Sequence, residues 1–124
     1  MLFALLAYHV EGLIQALSPA EDDALMDKLH KVQDRIFQAG QLGPAARLGP
    51  TTSARTVRRG QKPLILDGPF AETKEQLLGF YIVDVPGIDE AVEAAVAMGE
   101  ANPTAVYEIR PIISCLPGAP IKRP

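Results

Sequence analysis

The sequence has no tryptophan and almost no cysteine, since Cys115 is its only thiol. A single cysteine excludes an intrachain disulfide and favours a reducing compartment. No apolar run approaches the roughly 20 residues that a transmembrane helix needs. The apolar start, "MLFALLAYHVEG", also lacks the basic region and the cleavage site of a signal peptide. These absences predict a cytoplasmic protein with no membrane partner.

An excess of positive charge is also absent. The chain has 12 basic and 15 acidic residues, which gives a formal net charge of −3. A nucleic-acid-binding protein normally shows a basic patch, so we predict no nucleic-acid partner. The one basic cluster, Arg55, Arg58, Arg59 and Lys62, is interpreted as the solvated part of a hairpin.

The motifs of several well-known chemistries are missing. Histidine, cysteine and acidic residues do not cluster at the spacing of metal ligands. The chain has no phosphate-binding P-loop, no dinucleotide fingerprint and no G-x-S-x-G motif. Cys115 lies in a proline-rich segment with no obvious base beside it. We therefore predict no metal site and no cofactor.

Two helices are indicated by their boundary residues and by apolar spacing. Ser18 and Glu21 form a capping box at the start of the first helix, and Gly40 is the expected end. The second helix is expected to begin with Asp89 as its N-cap and to end near Gly99.

Strands are predicted before the first helix, between the two helices and after the second helix in the sequence. Residues 2–8 and 77–85 are short apolar runs, and residues 104–112 alternate between apolar and polar side chains. Residues 56–58 and 63–66 predict a hairpin. Any strand in "LGPAARLGP" should be brief or lie at a sheet edge, because glycine and proline interrupt it.

The order of these elements predicts an α+β fold. A length of 124 residues, of which 48% are apolar, is typical of one globular domain. The sequence β–α–β–hairpin–β–α–β is a ferredoxin-like plan with an inserted β-hairpin, in which both helices cover one face of an antiparallel sheet. We assign residues 1–113 to this domain and residues 114–124 to a proline-rich C-terminal tail.

The apolar character of the sheet face that the helices leave uncovered is the strongest indication of a protein partner. Residues 2–8 are apolar throughout, and along residues 77–85 both faces are apolar. Leu77, Tyr81 and Val83 are assigned to one face, and Leu78, Phe80 and Ile82 to the other. An uncovered apolar face would be a large adhesive patch. The same face of a second copy is the simplest cover, so we predict a two-fold homodimer whose sheets form a barrel-like core.

The segment "LDGPFAETKEQLLGFYIVDV", together with "SARTVR" before it and "YEIRP" after it, resembles the DGPF subgroup of the YCII-related domain family. The resemblance covers about residues 2–113. It implies a ferredoxin-like fold that assembles as a dimeric α+β barrel. Some members occur near alternative sigma factors or are fused to them, which implies a regulatory role. Related members outside the subgroup carry a His–Asp pair in their active site, and neither His9 nor His30 can be matched to that pair.

The candidate site residues lie in four parts of the chain. Carboxylates near an apolar cavity and a lysine beside them have opposed proton affinities, as acid–base chemistry requires, although a plain ion-pair network uses the same residues. The candidates for catalysis are Asp67, Glu72, Lys74 and His9. The candidates for ligand binding are Arg55, Arg58, Tyr81 and Arg110, of which Arg55 and Arg58 are expected to share a strand face and to clamp a carboxylate or phosphate.

Two functions remain open on these residues. The first is a dimeric, cofactor-independent enzyme that transfers protons on a small organic molecule. The second is a non-catalytic module that senses a small molecule or contacts the transcription machinery. An architectural role for the DGPF loop is a third interpretation, because Asp67 can cap its own turn.

Overall fold

The protein is described by a computed structural model that covers residues 1–122. Residues 123 and 124, the end of the expected proline-rich tail, lie outside the described residues. The strands are β1 (Leu2–His9), β2 (Leu42–Arg47), β3 (Arg55–Arg58), β4 (Leu64–Asp67), β5 (Gln76–Asp84) and β6 (Val106–Pro111). The helices are α1 (Glu11–Gln15), α2 (Pro19–Gln38) and α3 (Ile88–Ala101).

The sheet has the topology of a ferredoxin-like fold. Its strand order is β2-β5-β1-β6, and every neighbouring pair is antiparallel. The chain places β5 between β1 and β2, and it places β1 between β5 and β6, which is the split βαβ arrangement. Strands β3 and β4 form a separate two-stranded hairpin. The predicted α+β fold with an inserted hairpin is confirmed, and β2 is an edge strand as expected.

The core lies between the sheet and helices α2 and α3. Phe3 and Leu5 of β1 point towards the helices and are at most 1% exposed. They pack in one cluster with Leu29 and Val32 of α2 and with Met98 of α3. The residues of β1 that alternate with these, on the face without helices, are only half-buried. One face of the sheet is therefore closed within the protomer and the other is not.

The capping box at the start of α2 is present. The Ser18 side chain accepts a hydrogen bond from the Glu21 backbone N–H at 3.1 Å, and the Glu21 carboxylate accepts one from the Ser18 N–H at 3.0 Å. These contacts pair two of the N–H groups that a helix start leaves without partners. They also fix the point at which α2 begins to cross the sheet.

The predicted N-cap of α3 is wrong, whereas the helix ends near Gly99 as predicted, two residues beyond it. Gly87 is the N-cap, so Asp89 lies inside the first turn, where a carboxylate interacts favourably with the helix dipole. The helix continues past Gly99 to Ala101, with Asn102 as its C-cap. At Gly99 an added Cβ would lie 4.0 Å from the Tyr107 ring, an ordinary van der Waals distance, so packing at this position does not require a glycine.

An irregularity between Ala7 and Tyr8 changes which residues of β5 face the helices. Tyr8 pairs with Leu77, while Ala7 pairs with Gly79, so Leu78 is the extra residue of a β-bulge. Leu77 therefore lies with Tyr8 on the face without helices, and Leu78 lies on the helix side. The predicted faces of these two leucines are reversed, because simple alternation assumes that no residue is inserted.

Candidate functional site

A cavity of about 430 Å³ lies between the sheet and the first part of α2. Helix α1 and the segment after β2 form its other walls. Most of its lining is apolar, including Ala7, Ile14, Leu25, Met26, Leu29, Leu48 and Leu78. Its polar residues are His9, Glu11, Gln15, Arg47, Tyr81, Asn102 and Tyr107. A small, mostly apolar cavity with a few convergent polar groups is the usual form of a ligand site.

His9 is the most buried titratable side chain of this cavity. It ends β1 on the helix side of the sheet and is 7% exposed. Its Nε2 atom lies 3.3 Å from Asn102 Nδ2, and its Nδ1 atom lies 3.4 Å from Thr104 Oγ1. An amide nitrogen is a donor, so Nε2 accepts from Asn102 and the ring proton resides on Nδ1, facing Thr104. Two neighbours thus hold a neutral imidazole in one orientation.

The surroundings of His9 favour this neutral form. Burial lowers its pKa most, and the positive charge of Arg47 lowers it further, while Glu75 acts in the opposite direction. Loss of water around the ring penalises the charged imidazolium. His9 is therefore a proton acceptor at neutral pH.

Arg47 and Glu11 help to build the wall of the cavity, and the charged group of each already has hydrogen-bond partners. The Arg47 guanidinium forms two hydrogen bonds with Asp22, at 2.9 Å and 3.2 Å, which tie the end of β2 to α2. The Glu11 carboxylate accepts from the Thr51 backbone N–H at 2.8 Å and from its hydroxyl at 2.6 Å. Glu11 thus fixes the segment that follows β2 against α1.

Two tyrosines line the cavity from the sheet. Tyr81 of β5 and Tyr107 of β6 have ring centroids 6.4 Å apart, and the Tyr81 hydroxyl accepts from Gln33 Nε2 at 3.2 Å. Burial, and secondarily the neighbouring Tyr81, raises the pKa of Tyr107 to about 12, although Asn102 acts in the opposite direction. The Tyr107 phenol therefore keeps its proton and can donate a hydrogen bond.

Two polar atoms of this cavity have no hydrogen-bond partner. Among residues 1–122, Asn102 Oδ1 and the Tyr107 hydroxyl are the buried side-chain atoms left without one. Asn102 is only 4% exposed. Leaving such an atom unpaired costs about 1–3 kcal/mol, so native proteins normally pair it with another protein group, a water molecule or a ligand.

The structure brings two of the predicted site residues into this cavity and places the others elsewhere. His9 and Tyr81 line it. Asp67 and Arg55 form an exposed ion pair at 3.1 Å on the β3–β4 hairpin. Glu72 and Lys74 lie exposed in the loop after the hairpin, and within residues 1–122 neither forms an ion pair.

The remaining candidates, Arg58 and Arg110, also lie outside the cavity. Arg58 stacks over the Phe70 ring at 5.1 Å from its centroid. It is three residues from Arg55 on one strand, so the two side chains point to opposite faces and the expected shared face is wrong. Arg110 forms an ion pair with Glu108, 3.8 Å away, on the sheet face without helices.

The DGPF turn has a clear structural requirement. Gly68 has a φ of 92°, a conformation that side chains with a Cβ rarely adopt. Its N–H donates to the Ala54 carbonyl at 2.8 Å, and its carbonyl accepts from the Thr56 hydroxyl at 2.9 Å. These contacts close the base of the hairpin and account for the glycine that follows Asp67.

Sequence reasoning missed Asn102, Thr104, Tyr107, Glu11 and Arg47. The available signals were weak: an asparagine and a threonine flanking Pro103, and a tyrosine on the apolar side of an alternating strand. Helix α1 has only five residues, too few for a helical period to show. None of these signals indicates that the residues meet around His9.

Residues 1–122 contain neither a metal-binding cluster nor a membrane-spanning helix. No group of three or more histidine, cysteine or acidic residues there could hold a metal ion. Over the same residues, no helix is long and apolar enough to cross a bilayer.

The fold and the cavity define a ferredoxin-like α+β domain with a ligand-sized space between its sheet and helices. The sequence matches the YCII-related domain over residues 1–115, and the chain belongs to that family. It is also similar to an uncharacterised protein of Rhizobium meliloti (strain 1021), with 48% identity over 120 residues. That alignment covers 95% of this chain and 97% of the relative.

The lowered pKa of His9 predicts a pH-dependent stability. In an unfolded chain the histidine pKa is about 6.5, so acid protonates the unfolded state before the folded one. The free energy of unfolding should therefore fall as the pH drops below about 6.5, until the folded protein also binds the proton. Urea denaturation at about pH 7.5 and about pH 5.5 measures this fall.

The His9→Gln variant isolates the contribution of His9. It should lose less stability than the wild type between the two pH values, because it lacks the titrating ring. His30→Gln, a change at an exposed position of α2, should retain the slope of the wild type. Equal slopes for wild type and His9→Gln would show that His9 is not held neutral.

Proposed function

We propose that the protein binds a small, largely apolar organic molecule in this cavity and transfers a proton on it, with His9 as the base and without a cofactor. The observation that supports this most is a buried, neutral histidine inside a cavity of about 430 Å³. A general base must be unprotonated at the working pH and within reach of a bound substrate. Both conditions favour His9 over the exposed acids of the DGPF loop.

The contacts of His9 are compatible with this role. The Thr104 hydroxyl accepts a hydrogen bond from the Nδ1–H group of His9. The lone pair of His9 Nε2 therefore lies on the side of Asn102. The Nε2 to Nδ2 distance of 3.3 Å is longer than a typical hydrogen bond. A substrate proton of greater acidity would compete for that lone pair.

The second candidate function is a non-catalytic small-molecule sensor, with the regulatory role linked to transcription that the resemblance implies. One observation favours it: both ring nitrogens of His9 already have partners, so its function could be to hold Asn102 in place. The cavity would then bind the same class of molecule and release it unchanged.

We also propose that the protein acts as a cytoplasmic homodimer, paired through the sheet face without helices. On this face Leu77 is 38% exposed and Val106 is 52% exposed, which an isolated protomer would leave in water. The hairpin adds Val57, Ile65 and Phe70, each more than half exposed. We assign an architectural role in this assembly to the DGPF segment, with Asp67, Arg55 and Arg58 shaping the hairpin.

Thermal stabilisation by metabolite mixtures tests the location and the role of the site. A stabilising mixture should act on the wild type and on Glu72→Ala and Lys74→Ala, because these exposed loop residues lie outside the cavity. In His9→Gln the mixture should still stabilise, but any conversion of its components, followed by mass spectrometry, should stop. Stabilisation lost in the two loop variants but kept in His9→Gln would place the site at the DGPF loop. Binding without conversion in the wild type would favour the sensor.

A further inference from the structure

The two unpaired atoms of the cavity constrain the chemistry of its ligand. Asn102 is the C-cap of α3, and Tyr107 lies one strand position inside β6, so the short connection between helix and strand places them together. His9 engages the amide nitrogen of Asn102, which leaves its oxygen as the unpaired end. The cavity therefore presents one acceptor, Asn102 Oδ1, and one hydroxyl donor, Tyr107 Oη.

The charges around these atoms disfavour an ionic ligand. Arg47 is the cation of the cavity wall, and Asp22 already neutralises it through two hydrogen bonds. Burying a carboxylate without a cation to pair with it is costly. An uncharged ligand avoids this cost and can still pair both atoms.

We propose that the cavity recognises an uncharged carbonyl compound that carries an N–H or O–H group next to the carbonyl, such as a carboxamide, a lactam or an α-hydroxy ketone. The Tyr107 hydroxyl donates a hydrogen bond to the carbonyl oxygen, and Asn102 Oδ1 accepts a hydrogen bond from the N–H or O–H group. The apolar remainder of the ligand packs against Leu25, Met26 and Leu29. This inference rests on the proposed function and names the substrate class of that site.

Four small probes test the donor, the acceptor and the charge separately. Benzamide offers a carbonyl and an N–H, N,N-dimethylbenzamide lacks the N–H, acetophenone has only the carbonyl, and benzoate is anionic at neutral pH. Each is titrated into the isotopically labelled full chain, and affinities are read from amide chemical-shift changes. A hydrogen bond left unmade on a buried partner costs about 1–3 kcal/mol, which is about 5- to 150-fold in affinity. We expect benzamide to bind more tightly than each of the other three by a factor in this range.

Two variants assign the preference to the proposed atoms. Tyr107→Phe removes only the hydroxyl and should reduce the affinity for benzamide by about fivefold or more. Asn102→Ala should reduce the advantage of benzamide over N,N-dimethylbenzamide, because the acceptor for the N–H is gone. Val106→Ala, on the opposite face of the sheet, should leave all four affinities unchanged. If Asn102→Ala does not fold, Tyr107→Phe and the comparison of probes still decide the question.

Other outcomes overturn the proposal. Equal affinity for all four probes, or no binding by any, would mean that no ligand pairs the two atoms and that water, or Tyr107 and Asn102 themselves, satisfy them. Tighter binding of benzoate would identify an anion site. The ligand class and the proposed catalysis can fail independently. If the protein prefers benzamide but His9→Gln does not change the conversion of any compound, the ligand class is supported and the catalysis is rejected. If conversion depends on His9 but the protein shows no preference for benzamide, the catalysis is supported and the ligand class is rejected.

Discussion

Replacing Ile82 with lysine should convert the proposed dimer into a monomer. Ile82 lies in the middle of β5 and pairs with Ala4 of β1, so its side chain is near the centre of the sheet face without helices. A lysine ammonium buried there would lose its water without gaining a partner, at a cost of several kcal/mol. Each 1.4 kcal/mol is a factor of about ten, so the dissociation constant should rise by about a hundredfold or more. Sedimentation velocity at micromolar concentration measures the change.

The matched control is Val96→Lys. Val96 is an apolar residue on the exposed side of α3, 56% exposed, so the same change adds a charge that stays in water. This variant should sediment like the wild type, and circular dichroism should confirm that both variants remain folded. A wild type that is monomeric at this concentration, or an Ile82→Lys variant that is still dimeric, would contradict the proposed interface.

This interface follows from the mismatch between sheet and helices. Helices α2 and α3 cover one face of the sheet, while the other face carries apolar side chains on β1, β5 and β6. Its apolar members are Leu2, Ala4, Leu6, Leu77, Phe80, Ile82 and Val106. Burying such side chains contributes about 25 cal/mol per Å² of apolar surface removed from water. In the proposed dimer, the same face of a second copy supplies a matching apolar surface by symmetry.

The fold was largely predictable because its signals are local. The capping box of Ser18 and Glu21 indicates where α2 begins, and turn residues separate the strands. The order of elements then leaves few alternatives for the sheet, since split βαβ units follow a known topology. Local signals are less reliable at boundaries and irregularities: Gly87 rather than Asp89 is the N-cap of α3, and the β-bulge reverses the predicted faces of Leu77 and Leu78.

The candidate site was much less predictable because sheet pairing assembles it. His9 and Asn102 are 93 positions apart in sequence and meet only because β1 lies beside β6. The charged residues of the DGPF loop are prominent in the sequence, yet the hairpin carries them away from the cavity. The composition shows which side chains are available for a site. Only the pairing and register of the strands show which of these side chains line the same cavity.

The largest loss of stability is expected for Phe3→Ala. Phe3 is 1% exposed and packs in the cluster between the sheet and helices α2 and α3. Truncating a buried phenylalanine removes its burial energy and leaves a void, at a cost of about 3–5 kcal/mol. That is a large part of the roughly 5–15 kcal/mol that stabilises a typical domain. Urea denaturation followed by circular dichroism measures the difference.

Phe37→Ala is the control for this change, because Phe37 lies near the end of α2 and is 62% exposed. Its loss should be within about 0.5 kcal/mol, as is usual at exposed positions. Similar losses of stability in both variants would mean that the Phe37 side chain is covered in solution or that the Phe3 side chain is not.

Phe3 does not line the cavity, so the folded fraction of Phe3→Ala should keep the pH dependence of stability attributed to His9. A slope that disappears together with Phe3 would show that the core and the cavity form one cooperative unit, in which the orientation of His9 depends on the packing of Phe3.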